Sequence, residues 1–364
     1  MKYAGEFRDP ALAKAMLATI EKQVADYPGV ITLMEVCGTH TMSIYQHGIR
    51  NLLPKQIRLI SGPGCPVCVT PIEYVDKAVA YARQADVVIA TFGDMVRVPG
   101  SSSSLLREQA SGAQIKIVYS PLDAVALAEK NPEKIVIFLG VGFETTAPTI
   151  AGSIVEAKKR GLKNYFVLCA HKTMPTPMAA LTSDPELQVD GYICPAHVSA
   201  VIGAEAYKPL AEQFKVPCVV TGFEPLDMLR GVQMLVQQVL DGRAEVENEY
   251  QRIVKPQGNA KAQALLADVF ELCDTGWRGI GMIPGSGLRI RDEFAEFDAE
   301  KQIPVEVEEP KEHEGCLCGE ILKGKVTPKD CPLFRTACTP ENPVGACMVS
   351  SEGTCAAEYK YGTD

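Results

Sequence analysis

The chain has 364 residues, with 36 Lys and Arg against 45 Asp and Glu, so its formal net charge is −9 and its pI is about 5.3. This charge balance argues against nucleic acid or an anionic membrane surface as the main partner, because both need clustered basic side chains. A mean hydropathy of +0.02 and a hydrophobic content of 46% are typical of a globular protein with two or three domains.

The amino-terminal residues 9–26 have a helical pattern with scattered charges, and they lack the apolar stretch of a secretory signal. The longest apolar run, residues 135–143, is about half the length of a membrane span. We therefore expect a soluble, cytoplasmic protein. For that reducing compartment 13 cysteines is a high number, and it indicates metal ligation or redox chemistry rather than structural disulfides.

Short β-branched runs alternate with longer amphipathic runs between residues 30 and 242. The predicted strands are residues 30–36, 57–61, 86–92, 115–119, 134–140, 164–170 and 216–221. The predicted helices between them include residues 71–84, 145–160 and 224–240. Strands that are apolar on both faces and separated by helices indicate an α/β protein with parallel sheets covered by helices on both sides.

Gly-Phe-Glu occurs at residues 142–144 and again at 222–224, each time after a predicted strand and before a helix. This repeat predicts two similar α/β lobes, which we place at residues 29–125 and 126–242. They join within residues 121–133.

After residue 242 the pattern changes to a helical stretch at 245–273, a loop at 275–287 and a cysteine-rich tail. We expect residues 1–28, which have no sheet of their own, to pack with residues 243–364 in a third, smaller domain.

Three cysteines and a histidine follow the first two predicted strands. Cys37 and His40 stand where the first strand ends, and Cys65 and Cys68 form a Cys-x-x-Cys pair after the second. Because ligands bind at the carboxyl ends of strands in open parallel sheets, these side chains are expected to converge in one crevice. Cys-x-x-Cys by itself is compatible with half a zinc site, a redox dithiol or two packed residues. His40 by itself is equally compatible with a structural role.

Other polar residues follow strands and are candidates for the same crevice: Asp94, Arg97, Glu144, Thr145 and His197. The GVGFETT segment at residues 140–146 resembles a dinucleotide-binding turn but lacks its third glycine. A nucleotide-binding enzyme is therefore a weaker alternative.

Six cysteines are concentrated in the tail: Cys316, Cys318, Cys331, Cys338, Cys347 and Cys355. Zinc ribbons usually carry two Cys-x-x-Cys knuckles, and the tail has none. Iron–sulfur clusters accept irregular spacing and soft thiolate ligands. The tail thus favours an iron–sulfur cluster over zinc, and over buried cysteines with no metal.

The motifs taken together resemble the HypD family of [NiFe]-hydrogenase maturation proteins. Those that carry the resemblance, in chain order, are CGTH, GPGCPVC, TFGDMVRVPG, GFETTAP, PAHVS, GFEPLD and the CPLF…EGTC tail. The resemblance covers nearly the whole chain. It implies two similar α/β domains and a third domain that binds one [4Fe–4S] cluster.

The resemblance also implies roles for individual residues. Cys37, beside His40, would hold the iron of a transient Fe(CN)2CO unit together with a small HypC-type chaperone. A HypE-type protein would donate cyanide, and the hydrogenase large subunit would receive the product. Cys65 and Cys68 would form a redox pair. The cluster ligands would be Cys318, Cys331, Cys338 and Cys355, with Cys316 or Cys347 as the alternative to one of them.

Two functions follow from this set of residues. The first is an assembly scaffold in which the Cys65/Cys68 pair and the cluster supply electrons to iron held by Cys37. The second is an iron–sulfur thiol–disulfide oxidoreductase similar to ferredoxin–thioredoxin reductase, which has no use for Cys37.

Overall fold

The alternation of strands and helices is present in the structure, a computed structural model that describes residues 5–362. Its strands are β1 (Ile31–Glu35), β2 (Ile57–Ser61), β3 (Val87–Thr91), β4 (Gln114–Ile117), β5 (Ile135–Gly140), β6 (Tyr165–Cys169), β7 (Gly191–Pro195), β8 (Cys218–Thr221), β9 (Val246–Asn248), β10 (Phe270–Trp277) and β11 (Gly281–Ile290). All seven predicted strands are confirmed, whereas β7, β9, β10 and β11 were not predicted.

The helices lie between these strands and in the tail. They are α1 (Pro10–Val24), α2 (Gly38–Gln46), α3 (Ile49–Leu52), α4 (Pro66–Val69), α5 (Ile72–Ala82), α6 (Leu105–Ala110), α7 (Pro121–Lys130), α8 (Ala147–Lys159), α9 (Pro175–Thr182), α10 (Ala196–Ile202), α11 (Lys208–Phe214), α12 (Pro225–Leu240), α13 (Ala260–Val269), α14 (Ala299–Gln302), α15 (Cys318–Leu322) and α16 (Thr354–Tyr361). Short 3₁₀ helices span Gly5–Arg8, Gly93–Arg97, Ala204–Tyr207, Asp292–Phe297, Pro328–Asp330 and Ala346–Met348.

Local sequence accounts for where the long helices begin. Asp9 caps α1 by accepting hydrogen bonds from the N–H groups of Ala11 and Leu12, and Pro10 occupies the first turn. At α12, Glu224 and Asp227 form a reciprocal capping box, and Pro225 again stands in the first turn. These caps satisfy N–H groups that have no partner within the helix.

The strands form two parallel sheets and one antiparallel hairpin. Sheet A has the order β2-β1-β7-β8-β9, sheet B has the order β4-β3-β5-β6, and β10 pairs with β11. In sheet A, Glu35 lies opposite Ser61 on one side and Ile193 on the other, so β1 and β2 end level with each other while β7 continues to Pro195. The predicted α/β class with parallel sheets is confirmed.

The sheets do not follow the predicted lobes at residues 29–125 and 126–242. The chain begins sheet A with β1 and β2, builds all of sheet B, and then returns to sheet A with β7, β8 and β9. The prediction was wrong on strand grouping because it assumed that strands close in sequence pair with one another. Pairing of parallel strands is decided by crossovers and packing, which local patterns do not reveal.

The segments assigned to the third domain are also distributed differently. Helix α1 packs Ile20 and Val24 into the core under sheet A, against α12, and not against the tail. Residues 275–287, predicted as a loop, belong to the β10–β11 hairpin. Within residues 245–273 only α13 is helical, and it is preceded by β9. The apolar residues Val269, Phe270 and Ile290 pack on the outer face of sheet B.

One continuous core joins the inner faces of both sheets to the tail. It contains Met34 and Val220 from sheet A, Ile137 and Leu139 from sheet B, and Cys347 from the tail. The predicted cysteine-rich region therefore closes over the junction of the two sheets. Among residues 5–362, no helix has the length and apolar character that a membrane crossing requires.

Candidate functional site

The site lies where sheet A changes the direction of its strand order. The chain moves from β1 to β2 on one side and places β7 on the other, so the loops after β1 and β7 border a crevice. Cys37 follows β1, and His197 follows β7 at the start of α10. Both residues therefore follow strands of sheet A, although β7 was not among the predicted strands.

The loops of Cys37 and Cys65 touch through their backbones. The N–H of Gly38 donates to the carbonyl oxygen of Gly64 at 3.0 Å. A Cβ atom on Gly64 would come within 2.5 Å of the Cα of Cys37, so only glycine permits this approach. Cys37 and Cys65 are therefore held on neighbouring loops, as expected from their strands.

Cys65 and Cys68 form a disulfide across α4, with their Cα atoms 5.3 Å apart. Cys65 is the N-cap of α4, and its sulfur accepts a hydrogen bond from the N–H of Cys68 at 3.3 Å. The two residues are 3% and 0% exposed, so the disulfide is shielded from large molecules in solution.

Cys37 is buried at the amino terminus of α2. Burial raises the pKa of its thiol to about 12, and the negative charge of Glu352 adds to this shift. The main-chain N–H groups of His40 and Thr39 donate toward the sulfur and oppose the shift. The free thiol is consequently protonated, while donors that would stabilise a thiolate are already in place.

His40 is fully buried and has one free ring nitrogen. Its Nε2 lies 3.2 Å from the carbonyl oxygen of Thr221 and 3.1 Å from that of Gly222, so Nε2 carries the proton. Burial lowers the pKa of His40 to about 4. The neutral ring then leaves Nδ1 as an acceptor with no hydrogen-bond partner among residues 5–362.

Phe223, which follows β8, lies between the two histidines. Its ring centroid is 4.6 Å from that of His40 and 4.2 Å from that of His197. The partial desolvation of His197 lowers its pKa, and the nearby charge of Glu352 opposes this. The exposed His197 ring thus forms the outer end of a series of tilted rings that leads inward to His40.

Glu352 brings the tail to this crevice, and no sequence pattern indicated that it would. Its Oε1 accepts a hydrogen bond from the Thr39 hydroxyl at 2.7 Å. A Cβ atom on Gly38 would lie 2.5 Å from the Cβ of Glu352, so the tail packs directly on the residue after Cys37.

The remaining crevice candidates separate into different environments at the carboxyl end of sheet B. Glu144 is buried and accepts the N–H of Met174 at 3.0 Å, and burial raises its pKa to about 7. Arg97 donates from Nη1 to the carbonyl oxygen of Pro340 at 3.2 Å and from Nη2 to that of Val349 at 3.1 Å. Arg97 therefore fastens the tail. Asp94 and Thr145 are half-buried after β3 and β5.

All six tail cysteines line one cavity whose other walls are apolar. The cavity is formed by Cys316, Cys318, Cys331, Cys338, Cys347 and Cys355 with Ile321, Leu333, Phe334, Gly345 and Met348. The Sγ atoms of Cys318 and Cys347 are 2.7 Å apart, and this contact lowers the pKa of Cys318 and raises that of Cys347.

The donor set in this cavity fits an iron–sulfur cluster. It consists of thiols alone, without imidazole or carboxylate, and soft iron–sulfur centres prefer such ligands. Among residues 5–362, no three His, Cys, Asp or Glu side chains converge as a single metal ion would require. A [4Fe–4S] cluster has a different requirement, because each of its thiolates bonds a separate iron.

The cavity adjoins the disulfide. The Sγ of Cys68 is 3.9 Å from the carbonyl oxygen of Ala346, the residue before Cys347. The crevice, the disulfide and the thiol-lined cavity thus follow one another through the core.

The fold and the site together define a class: α/β proteins with two parallel sheets and a cysteine-rich tail that closes over a Cys-x-x-Cys pair. The chain belongs to the HypD family, since residues 11–362 match the family described as "HypD: Hydrogenase formation hypA family". The resemblance found in the sequence is thereby confirmed.

Several hydrogenase maturation factors are similar to this chain over nearly their full length. The hydrogenase maturation factor HypD of Azotobacter vinelandii is 50% identical over 369 residues, covering 100% of this chain and 97% of that protein. That of Cupriavidus necator is 47% identical over 371 residues, covering 100% and 97%. That of Escherichia coli K12 is 43% identical over 368 residues, covering 99% and 98%.

Proposed function

We propose that this chain acts in hydrogenase maturation as the scaffold on which the Fe(CN)2CO unit of [NiFe]-hydrogenases is assembled. Its membership of the HypD family and the names of its relatives support the maturation role. The observation that supports the scaffold role is the backbone contact between Gly38 and Gly64, because it joins the loop of Cys37 to the loop that carries the Cys65–Cys68 disulfide.

Cys37 is the proposed ligand of the incoming iron. A low-spin iron that carries cyanide and carbon monoxide is soft, so a thiolate suits it better than a carboxylate. Metal binding must displace the thiol proton. The N–H groups of Thr39 and His40 would then stabilise the anion, and Nδ1 of His40 offers a neutral acceptor within the same helix turn.

Partners complete the proposal. A HypC-type chaperone would contribute a second thiolate to the iron, a HypE-type protein would bring cyanide, and the hydrogenase large subunit would receive the product indirectly. The exposed His197 and the tail residue Glu352 border the crevice from which such partners would approach.

The disulfide is the proposed two-electron store of the scaffold. Its reduction takes up two electrons and two protons and yields the Cys65 and Cys68 thiols. When bound in the thiol-lined cavity, a [4Fe–4S] cluster would supply single electrons. Cys318, Cys331, Cys338 and Cys355 would hold it, and the contact between Cys68 and Ala346 keeps the disulfide next to the cavity wall.

The second candidate is a thiol–disulfide oxidoreductase that reduces a separate protein. The disulfide next to the thiol-lined cavity favours it. Against it, both sulfurs are buried, so a protein disulfide has no direct access to them. This function also leaves Cys37 and its prepared N–H donors unused.

An infrared spectrum of the chain, purified without oxygen together with its small HypC-type partner, tests the proposal. We expect cyanide and carbonyl stretching bands that disappear in Cys37→Ala. That variant should retain the iron and sulfide of the tail and the reversible oxidation of Cys65 and Cys68. Cys194→Ala is the matched control, because Cys194 is a buried thiol inside β7. Bands that persist in Cys37→Ala would contradict the scaffold role, and their absence from the wild type would favour the reductase.

A further inference from the structure

Arg278 is a buried cation in the turn between β10 and β11. The residue is 5% exposed, and its Nη1 has no hydrogen-bond partner among residues 5–362. Nε donates to Oε1 of Glu312 at 2.7 Å, and the Glu312 side chain is 55% exposed. The positive charge is therefore held in the interior, whereas its counter-charge stands at the surface.

The backbone fixes where this cation lies. The N–H of Arg278 donates to the carbonyl oxygen of Val69 at 2.9 Å, one residue after Cys68. The next residue, Gly279, has a φ of +73°, and a Cβ atom there would overlap the Cα of Gly319, one residue after Cys318. The turn therefore packs between α4, which contains Cys68, and the first turn of α15, which begins at Cys318.

The position has an electrostatic consequence. An arginine keeps its charge in proteins, and a charge in a low-dielectric interior acts more strongly on its neighbours than one in water. Reduction adds an electron to a site, so a nearby fixed cation stabilises the reduced state. Glu312 offsets this only in part, because water screens a half-exposed carboxylate.

We propose that Arg278 is a positioning residue that raises the reduction potential of the cluster held by the tail and seats that cluster against the Cys65–Cys68 pair. This inference rests on the proposed function. No role in the chemistry of Cys37 is assigned to Arg278.

The test is a reductive titration of the full chain, purified without oxygen and followed by electron paramagnetic resonance. Arg278→Met removes the charge at similar volume, and Arg278→Lys keeps it without the planar fork. We expect the one-electron reduction equilibrium to become about tenfold less favourable in Arg278→Met, a potential lower by about 59 mV. Arg278→Lys should stay within about threefold of the wild type. An unchanged potential in Arg278→Met, or equal shifts in both variants, would overturn the inference.

Glu312→Gln provides a second measurement if Arg278→Met does not fold. It removes the counter-charge from a half-exposed side chain and should move the equilibrium in the opposite direction. An unchanged or lower potential in Glu312→Gln would count against the inference. Iron and sulfide analysis of the wild type distinguishes a failure of the proposed cluster from a failure of the role assigned to Arg278. Their absence overturns the proposed cluster, whereas a cluster whose potential ignores both substitutions overturns only the role of Arg278.

Discussion

The main-chain N–H of Gly38 donates a hydrogen bond of 3.0 Å to the carbonyl oxygen of Gly64, and this bond ties the loop of Cys37 to the loop of Cys65. Neither glycine has a side chain to keep the loops apart. The relative position of the two cysteines is therefore a property of the backbone.

Gly64→Ala tests this relationship. Its Cβ would meet the backbone of Cys37, which has no flexible side chain to move aside. We expect the free energy of unfolding to fall by about 1–3 kcal/mol, as for other overpacked sites, and iron–cyanide loading to be lost.

Urea unfolding and infrared bands measure the two effects of Gly64→Ala. Gly152→Ala is the control, because Gly152 lies in α8 and a Cβ atom there would be 3.9 Å from its nearest neighbour, a side-chain atom of Leu265. That change should leave loading intact and stabilise the helix by about 0.5–1 kcal/mol. Normal loading in Gly64→Ala would contradict the proposed dependence on loop contact.

Glu144→Gln is expected to change the pH dependence of stability. Burial raises the pKa of Glu144 to about 7 from an ordinary value of 4.5, so the native state binds its proton more tightly than the unfolded state. The resulting stability is fully present below about pH 4.5 and is lost as the pH rises toward 7. Glutamine does not ionise and keeps the acceptor for Met174. The variant should therefore gain up to about 3 kcal/mol over the wild type between pH 5 and 8.

Denaturant unfolding at several pH values measures the Glu144 effect, with His171→Asn as a comparison of opposite sign. Burial lowers the pKa of His171 to about 3, so the wild type loses stability as the pH falls below 6.5. The stability of His171→Asn relative to the wild type should therefore increase as the pH falls. A pH-independent difference between Glu144→Gln and the wild type would refute the first expectation.

Arg97→Gln should loosen the tail. The side chain donates to the carbonyl oxygens of Pro340 and Val349, and hydrogen bonds from charged groups contribute about 1.5–3 kcal/mol when buried and less when exposed. We expect the amides of Met348 and Val349 to exchange hydrogen about tenfold faster, which corresponds to about 1.4 kcal/mol. Arg160→Gln removes an exposed arginine that follows α8 and serves as control. Equal exchange in both variants would exclude Arg97 as a clamp.

Cys318 and Cys347 are expected to substitute for each other as cluster ligands. Their sulfurs are 2.7 Å apart, so both can reach the same corner of a cluster but cannot bond two different irons in this arrangement. Iron and sulfide analysis should find substantial cluster in Cys318→Ala and in Cys347→Ala, but little in the double variant. Cys338 has no such neighbour in the contacts described, so the single substitution Cys338→Ala should be enough to lose the cluster. Complete loss in either single variant of the pair would identify that cysteine as an indispensable ligand.

The sequence predicted those parts of the molecule that depend on local pattern. Runs of β-branched residues defined the strands. The rule that ligands bind at the carboxyl ends of strands predicted that Cys37, Cys65 and His197 lie at the same edge of a sheet, and all three lie at the carboxyl-terminal edge of sheet A. The pairing of β1 with β7 was not predictable in this way, because it depends on a crossover through all of sheet B.

Residues that reach the site from remote segments were also missed. Thr39 and Glu352 are 313 positions apart, and Arg278 comes from a hairpin that the sequence presents as a glycine-rich loop. Arg97, in contrast, was recognised, but its guanidinium fastens the tail instead of lining the crevice. Strand-end position alone does not decide which way a long side chain turns.

The interruption of sheet A by sheet B has a consequence for biosynthesis. On a ribosome β3 to β6 emerge as an uninterrupted series and can pair at once, whereas β1 and β2 must wait for β7 and β8. The nascent chain therefore carries Cys37, Cys65 and Cys68 on a sheet that stays incomplete until translation has passed Thr221. The segment with Glu352, which bonds Thr39 in the loop after β1, is synthesised after both sheets.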